Sequence, residues 1–433
     1  MTTAHGDGEG RTGEPPGRIP HPILITIGVV LVLVLVLGAV AIGQNRAHET
    51  ERQADLDPFY RPPDPLPAGR PGDVLRVEPM DLTVPGAPEG TQAWRVLYRS
   101  EYADGTATAS SGMVFVPGGA TPAGGRDVVA WAHPTLGMGD ECAPSRSDDP
   151  LGDMNWLGGM LNNGWVIAAT DYSGFGTPGT LHYLIGDDEA RDVINSVRAA
   201  QRMAGTGAGS RFSVWGHSQG GQAALFVGMD AATYAPELQL VAVAAAAPAS
   251  ELVALVAEQW NSTVGWAIGP EVLVAWPATY PELSADQVVS RAGLSSYKRL
   301  AEDCIFEAAV KGLVREGLGQ TVFGVDPATV PAWRAAAERN SARPLAPGLP
   351  VLVAQGLKDG VVLPDTTALY VQTSCTAGSD LAVLWMGDTG HLAAAKVSGP
   401  AVTTWLQQRF AGVAATSTCD TSLPVAPATT PPQ

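Results

Sequence analysis

Residues 211–225 read RFSVWGHSQGGQAAL, and this stretch indicates the fold. The apolar run from Arg211 to Trp215 is typical of a short buried strand, and the residues from Gly221 onward suit the beginning of a helix. Between them, Gly216-His217-Ser218-Gln219-Gly220 fits the G-x-S-x-G pattern, in which a serine occupies a sharp strand-to-helix turn. The glycines allow the backbone to pack closely there. We therefore predict that Ser218 is a nucleophile, with an ordinary glycine-rich turn as the alternative.

Short apolar runs and helical stretches alternate on both sides of this turn, as they do in a parallel sheet covered by helices on both faces. Residues 93–100 and 106–116, separated by Asp104-Gly105, predict a hairpin. The further strands are predicted at 128–131, 166–169, 212–215, 241–244, 351–354 and 381–384, and the clearest helices at 188–203, 220–228 and 402–410.

No good strand occurs between Ser250 and about Gly348, where apolar residues recur at helical spacing. One such row is Ile305, Ala309 and Leu313, and a second, adjacent row is Phe306, Val310 and Val314. We expect an α/β fold with a mostly parallel sheet, interrupted here by an inserted helical subdomain.

A serine nucleophile needs a base, and in hydrolases with this turn an acid and then a histidine follow the serine along the chain. Of the seven histidines only His391 comes late enough, in the loop after the strand near residues 381–385. His217 adjoins Ser218 on the turn, so its side chain should diverge from the nucleophile. The alternative for His391 is a surface histidine on a loop.

The acid should follow the preceding strand, where it can accept the other N–H of the histidine and hold the tautomer that proton transfer needs. Asp359 follows the run 351–354 and is our candidate. Asp365 falls where the next helix should begin and is typical of a helix cap. Asp388 lies on the loop of His391 itself and could reach the ring only locally.

A tetrahedral intermediate also needs hydrogen-bond donors for its oxyanion. The N–H of Gln219, which follows the nucleophile, is the expected first donor. The second should come from the loop after the strand that ends at Trp131. Pro134 has no N–H, so we predict Thr135, with its hydroxyl as a further possible donor. His133 either packs or orients this loop.

Composition and charge narrow the classes of partner. The chain has 433 residues, a hydrophobic fraction of 45% and only 16% charged residues, which excludes an intrinsically disordered chain. Its formal net charge of −17 argues against nucleic acid, because phosphate binding depends on Lys and Arg. The sequence contains no metal-ligand cluster and no phosphate-binding glycine loop, so we expect no metal and no cofactor.

The N-terminus predicts contact with a membrane. Residues 23–42 read ILITIGVVLVLVLVLGAVAI, which is long enough to span a hydrocarbon core. We expect an uncleaved anchor over residues 22–43, with a long secretory signal as the alternative. The four cysteines fit two disulfides or four reduced thiols, and the membrane segment favours disulfides on the extracellular side.

These features predict seven segments. Residues 1–21 are a disordered tail, 22–43 the membrane segment and 44–72 a proline-rich lead-in, extended from Pro58. Residues 73–249 and 349–412 are the two parts of the core, 250–348 the helical insertion and 413–433 a disordered tail.

Several motifs together resemble the secretory lipase family typified by the Candida-type lipase A. They are Phe59-Tyr60, Trp131-Ala132-His133-Pro134-Thr135, Cys142-Ala143-Pro144-Ser145, Asp171-Tyr172-Ser173-Gly174-Phe175-Gly176 and Gly216-His217-Ser218-Gln219-Gly220. The resemblance implies an α/β-hydrolase fold whose inserted helices form a lid, and hydrolysis of carboxylic esters by Ser218, Asp359 and His391. It also implies the disulfides Cys142–Cys304 and Cys375–Cys419.

The expected function is therefore a lipase or esterase acting on acylglycerol-type esters, either anchored outside the cell or secreted after cleavage. The apolar insertion suits a lid over an acyl channel, and Tyr172 and Phe175 follow a strand where pocket-lining residues are expected. There are two alternatives. The first is another enzyme on the same fold that uses a serine nucleophile, such as an acyltransferase or a peptidase. The second is a catalytically silent surface binding module.

Overall fold

A computed structural model describes residues 47–430. Its centre is a nine-stranded mixed sheet in the order β1-β2-β3-β5-β4-β6-β7-β8-β9. Strands β4 to β9 run parallel, and β1, β2 and β3 extend the sheet by antiparallel pairing. The strands are β1 Val74–Met80, β2 Gln92–Glu101, β3 Ala107–Val116, β4 Arg126–Ala132, β5 Val166–Thr170, β6 Ala208–His217, β7 Gln239–Ala246, β8 Val351–Gly356 and β9 Leu381–Met386.

Twelve α-helices are defined in the described part of the chain. The first, α1, covers residues 47–60. Residues 47–56 belong to one compact unit and residues 57–430 to another. The others are α2 Leu157–Leu161, α3 Gly186–Arg202, α4 Gln219–Tyr234, α5 Leu252–Gln259, α6 Thr263–Thr279, α7 Arg291–Leu294, α8 Tyr297–Glu302, α9 Ile305–Gly317, α10 Pro331–Arg339, α11 Pro364–Thr376 and α12 Ala394–Phe410.

The central strands are apolar along their whole length because they are covered on both faces. Every residue of β5 and of β8 is buried, and so are the last six residues of β6. Continuous burial produces a continuous apolar run instead of an alternating one. The predicted α/β class, its mostly parallel sheet and the hairpin β2–β3 are confirmed. Strand β1 was not predicted; it lies at the sheet edge and is half-exposed, so its apolar pattern is weak.

The sequence between β7 and β8 forms helices α5 to α10, which we call the helical insertion. Within the insertion the structure gives only one isolated β-bridge, Val289 to Phe323. The tryptophans Trp266, Trp276 and Trp333 are buried, so the insertion has an apolar interior of its own.

Two disulfides join distant parts of the chain, with the pairing that the resemblance implied. Cys142–Cys304 links the segment after β4 to the residue that caps α9, and Cys375–Cys419 links α11 to the C-terminal segment.

The terminal segments differ in part from their expected conformations. Pro58, Phe59 and Tyr60 form the last turn of α1 instead of extended chain, because Phe59 and Tyr60 are buried and bind the helix end to the core. Residues 413–430 have no helix or strand but are bonded: Thr418 N–H donates to the Leu381 carbonyl at 3.0 Å and Ala428 N–H to that of Asp365 at 2.9 Å.

The membrane segment predicted over residues 22–43 lies outside the described residues, as does the predicted tail 1–21. Between residues 47 and 430, no helix combines the length and the apolar character needed to cross a bilayer.

Candidate active site

The turn at Ser218 connects β6 to α4 and has a conformation that serine rarely adopts. Its φ is 58° and its ψ is −116°, outside the helical and extended regions. The turn is held from both sides: Ser218 N–H donates to the Ala246 carbonyl at 2.9 Å, and its carbonyl accepts from Gln222 N–H at 3.0 Å. Neighbouring strand and helix therefore determine where the hydroxyl points.

The two glycines of the motif are required by close packing. A Cβ on Gly216 would lie 2.0 Å from the Gly220 carbonyl oxygen, and a Cβ on Gly220 would lie 1.9 Å from that of Ala132. Real Cβ atoms do not approach a backbone so closely, so α4 could not begin directly against β4 with any other residue at these positions. This is the physical reason for the motif read in the sequence.

The structure brings the three predicted catalytic side chains together. His391 Nε2 lies 2.8 Å from Ser218 Oγ, and His391 Nδ1 lies 2.8 Å from Asp359 Oδ2. The other carboxylate oxygen of Asp359 accepts from the N–H groups of Val361 and Val362 at 2.9 and 3.0 Å. The carboxylate is fully buried and fixed, so it can orient the imidazole.

The competing acids are engaged elsewhere. Asp388 Oδ1 lies 2.8 Å from Lys358 Nζ, and both side chains are exposed. Asp365 accepts from Thr366 N–H at 2.9 Å within the first turn of α11, whose N-cap is Leu363, so it is not the cap that its position suggested.

His217 diverges from Ser218, as expected, and contacts the histidine loop. Its Nε2 donates to the His391 carbonyl at 3.1 Å, and the two rings are 4.9 Å apart. Burial lowers the pKa of His217 to about 3, so the ring is neutral and does not repel a proton arriving on His391.

The predicted oxyanion donors lie at two neighbouring backbone segments. Gln219 is the first residue of α4, so its N–H is one of the unpaired donors at a helix start. The loop that carries Thr135 continues from Ala132, whose carbonyl is packed against Gly220. The Thr135 hydroxyl lies 2.8 Å from the Tyr183 hydroxyl, so Tyr183 holds this side chain in place.

Two buried glutamates lie close to these segments. Glu189 accepts from Gln219 Nε2 at 2.7 Å and from Leu184 N–H at 2.9 Å. Glu271, on α6 of the helical insertion, is buried and neither of its oxygens has a hydrogen-bond partner. Burial raises the pKa of each carboxyl well above its usual range, and the neighbouring Glu189 raises the pKa of Glu271 further. Burial without a hydrogen-bond partner therefore favours the protonated form of Glu271.

Tyr172 and Phe175 differ from their predicted place in the pocket. Both are buried, with exposed fractions of 1% and 0%, and their rings pack against His133 at 4.6 and 5.6 Å. His133 in turn has Nε2 3.2 Å from the Asp171 carbonyl oxygen. These residues support the loop after β4 from inside the core.

Known proteins resemble this chain along most of its length. Residues 152–418 match the family described as secretory lipase. The chain belongs to the secretory lipase family. It is accordingly a carboxylic ester hydrolase, and family and disulfides together indicate an extracellular lipase-type enzyme.

Individual members of the secretory lipase family differ in their described activity. Lipase 10 of Candida albicans is 26% identical over 402 residues, covering 85% of this chain and 83% of that protein. A probable inactive lipase of Mycobacterium tuberculosis is also 26% identical over 402 residues, covering 87% of both. The closed state of Candida antarctica lipase A, 16% identical, superposes with a TM-score of 0.66 over 85% of this chain and 89% of that one.

The other motifs behind the family resemblance meet in buried hydrogen-bond networks. Asp171 accepts from Ser111 Oγ at 2.6 Å and from Ser145 Oγ at 2.5 Å, and Ser145 Oγ lies 2.7 Å from the Tyr60 hydroxyl. Asp192 accepts from Ser173 N–H at 2.7 Å, and burial raises its pKa to about 6. These motifs support the loops of the site and do not themselves reach the reacting atoms.

Tyr183, Glu189 and Glu271 belong to the site region but were not predicted. Glu189 ends the acidic run Asp187-Asp188-Glu189, which is indistinguishable in sequence from acids that favour a helix start. Glu271 is one charged residue within an apolar helix, and that isolation was the available signal.

Replacing Glu271 by glutamine should change how stability depends on pH. A carboxyl with a raised pKa contributes stability at low pH that is lost as pH rises through that pKa. Glu271→Gln removes this loss. At pH 8 the free energy of unfolding of the variant should therefore exceed that of the parent by about 1–3 kcal/mol, and at pH 4 the two should be nearly equal. Urea unfolding at both pH values measures the difference.

Glu302→Gln, at an exposed position on α8, is the matched control and should leave the pH dependence unchanged. If Glu271→Gln is instead less stable than the parent at pH 8, the carboxyl is ionised and paired, which would contradict the protonated state.

Proposed function

We propose that the protein hydrolyses carboxylic esters by an acyl-enzyme mechanism. Ser218 Oγ attacks the ester carbonyl as His391 Nε2 takes its proton, and Asp359 stabilises the resulting imidazolium. His391 then protonates the departing alcohol. Water attacks the acyl-enzyme with His391 as base, which releases the acid and restores the serine. The observation that carries this proposal is the continuous chain of two 2.8 Å contacts from Asp359 to Ser218.

The oxyanion of each tetrahedral intermediate would be bound by Gln219 N–H and Thr135. The start of α4 favours negative charge, which supports the first donor. The packing of Ala132 against Gly220 supports the second, because it brings the loop of Thr135 next to the helix start. The Tyr183 hydroxyl keeps the Thr135 side chain from rotating freely.

The acyl group would enter an apolar cavity inside the helical insertion, which would then act as a lid. The cavity wall is almost wholly apolar, and one of its residues, Leu184, adjoins Tyr183, whose hydroxyl contacts Thr135. Apolar walls favour an acyl chain over a polar peptide. Seven cavity residues are large apolar side chains from the first part of the insertion: Leu252, Leu255, Val256, Trp260, Val264, Val272 and Trp276.

A catalytically silent binding module is the second candidate, since one relative is named a probable inactive lipase. The complete set of Ser218, His391 and Asp359 favours an active enzyme in this chain. An acyltransferase or a peptidase would use the same three residues. These enzymes would be distinguished from an ester hydrolase by their substrates.

Substitution of the three residues tests the mechanism. Ser218→Ala should abolish covalent labelling by a fluorophosphonate probe, because the attacking oxygen is gone. His391→Ala and Asp359→Asn should each lower kcat on p-nitrophenyl butyrate by about 10³-fold or more. Asp388→Asn, an acid on the same loop as His391, should retain activity. Labelling of Ser218→Ala, or full activity of His391→Ala, would overturn the assignment, and failure of the parent chain to react would favour the silent module.

A panel of p-nitrophenyl esters of rising chain length, beside peptide anilides, tests the acyl cavity. Ile268→Trp places a large ring in the cavity, so the ratio of kcat/KM for dodecanoate to that for butyrate should fall about tenfold. Val274→Trp, on another face of the same helix α6, is the control and should leave the ratio unchanged. An unchanged ratio in Ile268→Trp would mean that acyl chains bind elsewhere, and cleavage of anilides alone would indicate a peptidase.

We also propose that residues 22–43 hold the enzyme at a membrane, with the disulfide-bonded domain outside. The 20-residue apolar stretch supports an anchor over a shorter signal. The full chain expressed in bacteria should sediment with membranes and stay there in high salt. A soluble product that begins after Ala41 would show cleavage and exclude the anchor.

A further inference from the structure

Helix α9 directs its large apolar side chains into solvent. Four of them lie on the helix and a fifth, Leu318, directly follows it. Their exposed fractions are 71% for Phe306, 62% for Val310, 57% for Leu313, 62% for Val314 and 70% for Leu318. Phe306, Val310, Val314 and Leu318 follow one another at four-residue spacing, and Leu313 lies three residues after Val310, so the five form one continuous stripe. We call these five residues the α9 stripe. Large apolar residues are normally buried in a soluble protein, so the stripe needs a separate explanation.

The opposite face of α9 is made of small residues. Ala308 and Gly312 are buried, and a Cβ on Gly312 would lie 2.8 Å from the Cβ of Trp266 on α6. No large side chain fits against α6 there, so the helix cannot roll over and bury the stripe in its place. Folding of the described domain therefore leaves the stripe exposed.

Charged residues of both signs lie beside the stripe. Lys311 Nζ lies 2.6 Å from Asp303 and 3.0 Å from Glu307, and Arg315 stacks over the Trp266 ring at 5.3 Å. Glu316 accepts from the Thr263 hydroxyl. Two cations thus stand against three carboxylates, so the flanks offer no basic patch for an anionic surface, and an uncharged surface fits them better.

The same helix is tied to the loop that carries Thr135. Ile305 N–H donates to the Leu136 carbonyl at 2.9 Å, and Cys304, the N-cap of α9, is bonded to Cys142. Whatever binds the stripe is therefore held beside a loop of the candidate active site. Helix α6, against which α9 packs, also lines the apolar cavity.

We propose that the α9 stripe is the surface by which this enzyme lies on an uncharged lipid surface. An apolar stripe on one helix with charged flanks suits an interface between water and acyl chains. Five side chains are too few for a stable protein partner, which needs roughly 20–30 residues a side. This inference rests on the proposed function, because the lipid surface would supply ester substrate to the site.

A local probe tests contact with lipid in the full chain. The apolar residues 23–42 can hold the full chain on a vesicle by themselves, so overall binding is not the readout. Gly317 is exposed in line with the stripe, and a Cβ there would meet nothing within 4 Å. Gly317→Cys carrying an environment-sensitive fluorophore, in a Ser218→Ala background, should emit at shorter wavelength when phosphatidylcholine vesicles are added.

Gly159→Cys with the same fluorophore is the matched control, because Gly159 is equally open but lies on α2 in the core domain. Its emission should not change. Equal shifts at both positions, or none at Gly317, would overturn the proposal. Since this measurement uses a variant without the nucleophile, it does not depend on the proposed mechanism.

A kinetic experiment tests the consequence for substrate. The quadruple variant Phe306→Gln, Val310→Gln, Leu313→Gln and Val314→Gln keeps helix-forming residues while removing the apolar surface. Its activity on a trioctanoylglycerol emulsion should fall about tenfold or more, with kcat/KM on dissolved p-nitrophenyl butyrate unchanged. Val77→Gln with Val413→Gln removes exposed apolar surface elsewhere and should leave both activities unchanged.

Equal activity of the quadruple variant and the parent on the emulsion would overturn the proposal. So would a parent chain that is dimeric in detergent and becomes monomeric in the quadruple variant, since the stripe would then bind a second copy. If the parent chain hydrolysed neither substrate, the proposed function would be contradicted instead.

Discussion

The close crossing of β4, β6 and α4 at Ser218 is the constraint on which the rest of the site depends. Only two missing side chains, at Gly216 and Gly220, allow the helix to begin against the strand ends. The crossing forces Ser218 to a positive φ and raises its hydroxyl above the sheet. It also brings the first N–H groups of α4 beside the chain at Ala132. The candidate nucleophile and the candidate oxyanion donors are thus products of one packing arrangement.

The parallel sheet then supplies the other candidate catalytic groups. Parallel strands end at the same edge, so the loops after β4, β6, β8 and β9 meet there although their residues are far apart in sequence. Thr135, Ser218, Asp359 and His391 come from these four loops. A second layer fixes them: backbone N–H groups hold Asp359, and His217 holds the carbonyl of His391. The helical insertion contacts the loop of Tyr183, whose carbonyl accepts from Trp276 Nε1 at 3.2 Å.

Local features of the sequence predicted much of this arrangement. The buried strands are continuous apolar runs, and the order of serine, acid and histidine selected Asp359 over Asp365 and Asp388. Strand β1 was missed because an edge strand lacks that strong signal. Tyr172 and Phe175 follow β5 as pocket residues would, but their rings fill the space beside His133. Position after a strand indicates the edge of the sheet, and it does not indicate whether a side chain points outward or into the core.

Helix α9 separates what the sequence determines from what the tertiary structure decides. The sequence determines that residues 305–317 form a helix, and it offers two adjacent apolar rows for burial. The tertiary structure covers neither row: contact with Trp266 admits only the small residues Ala308 and Gly312, so the large side chains remain outside. Glu189 and Glu271 show the same division. Helical spacing and acid content are local properties, whereas burial, lost hydrogen bonds and raised pKa arise only when distant elements pack together.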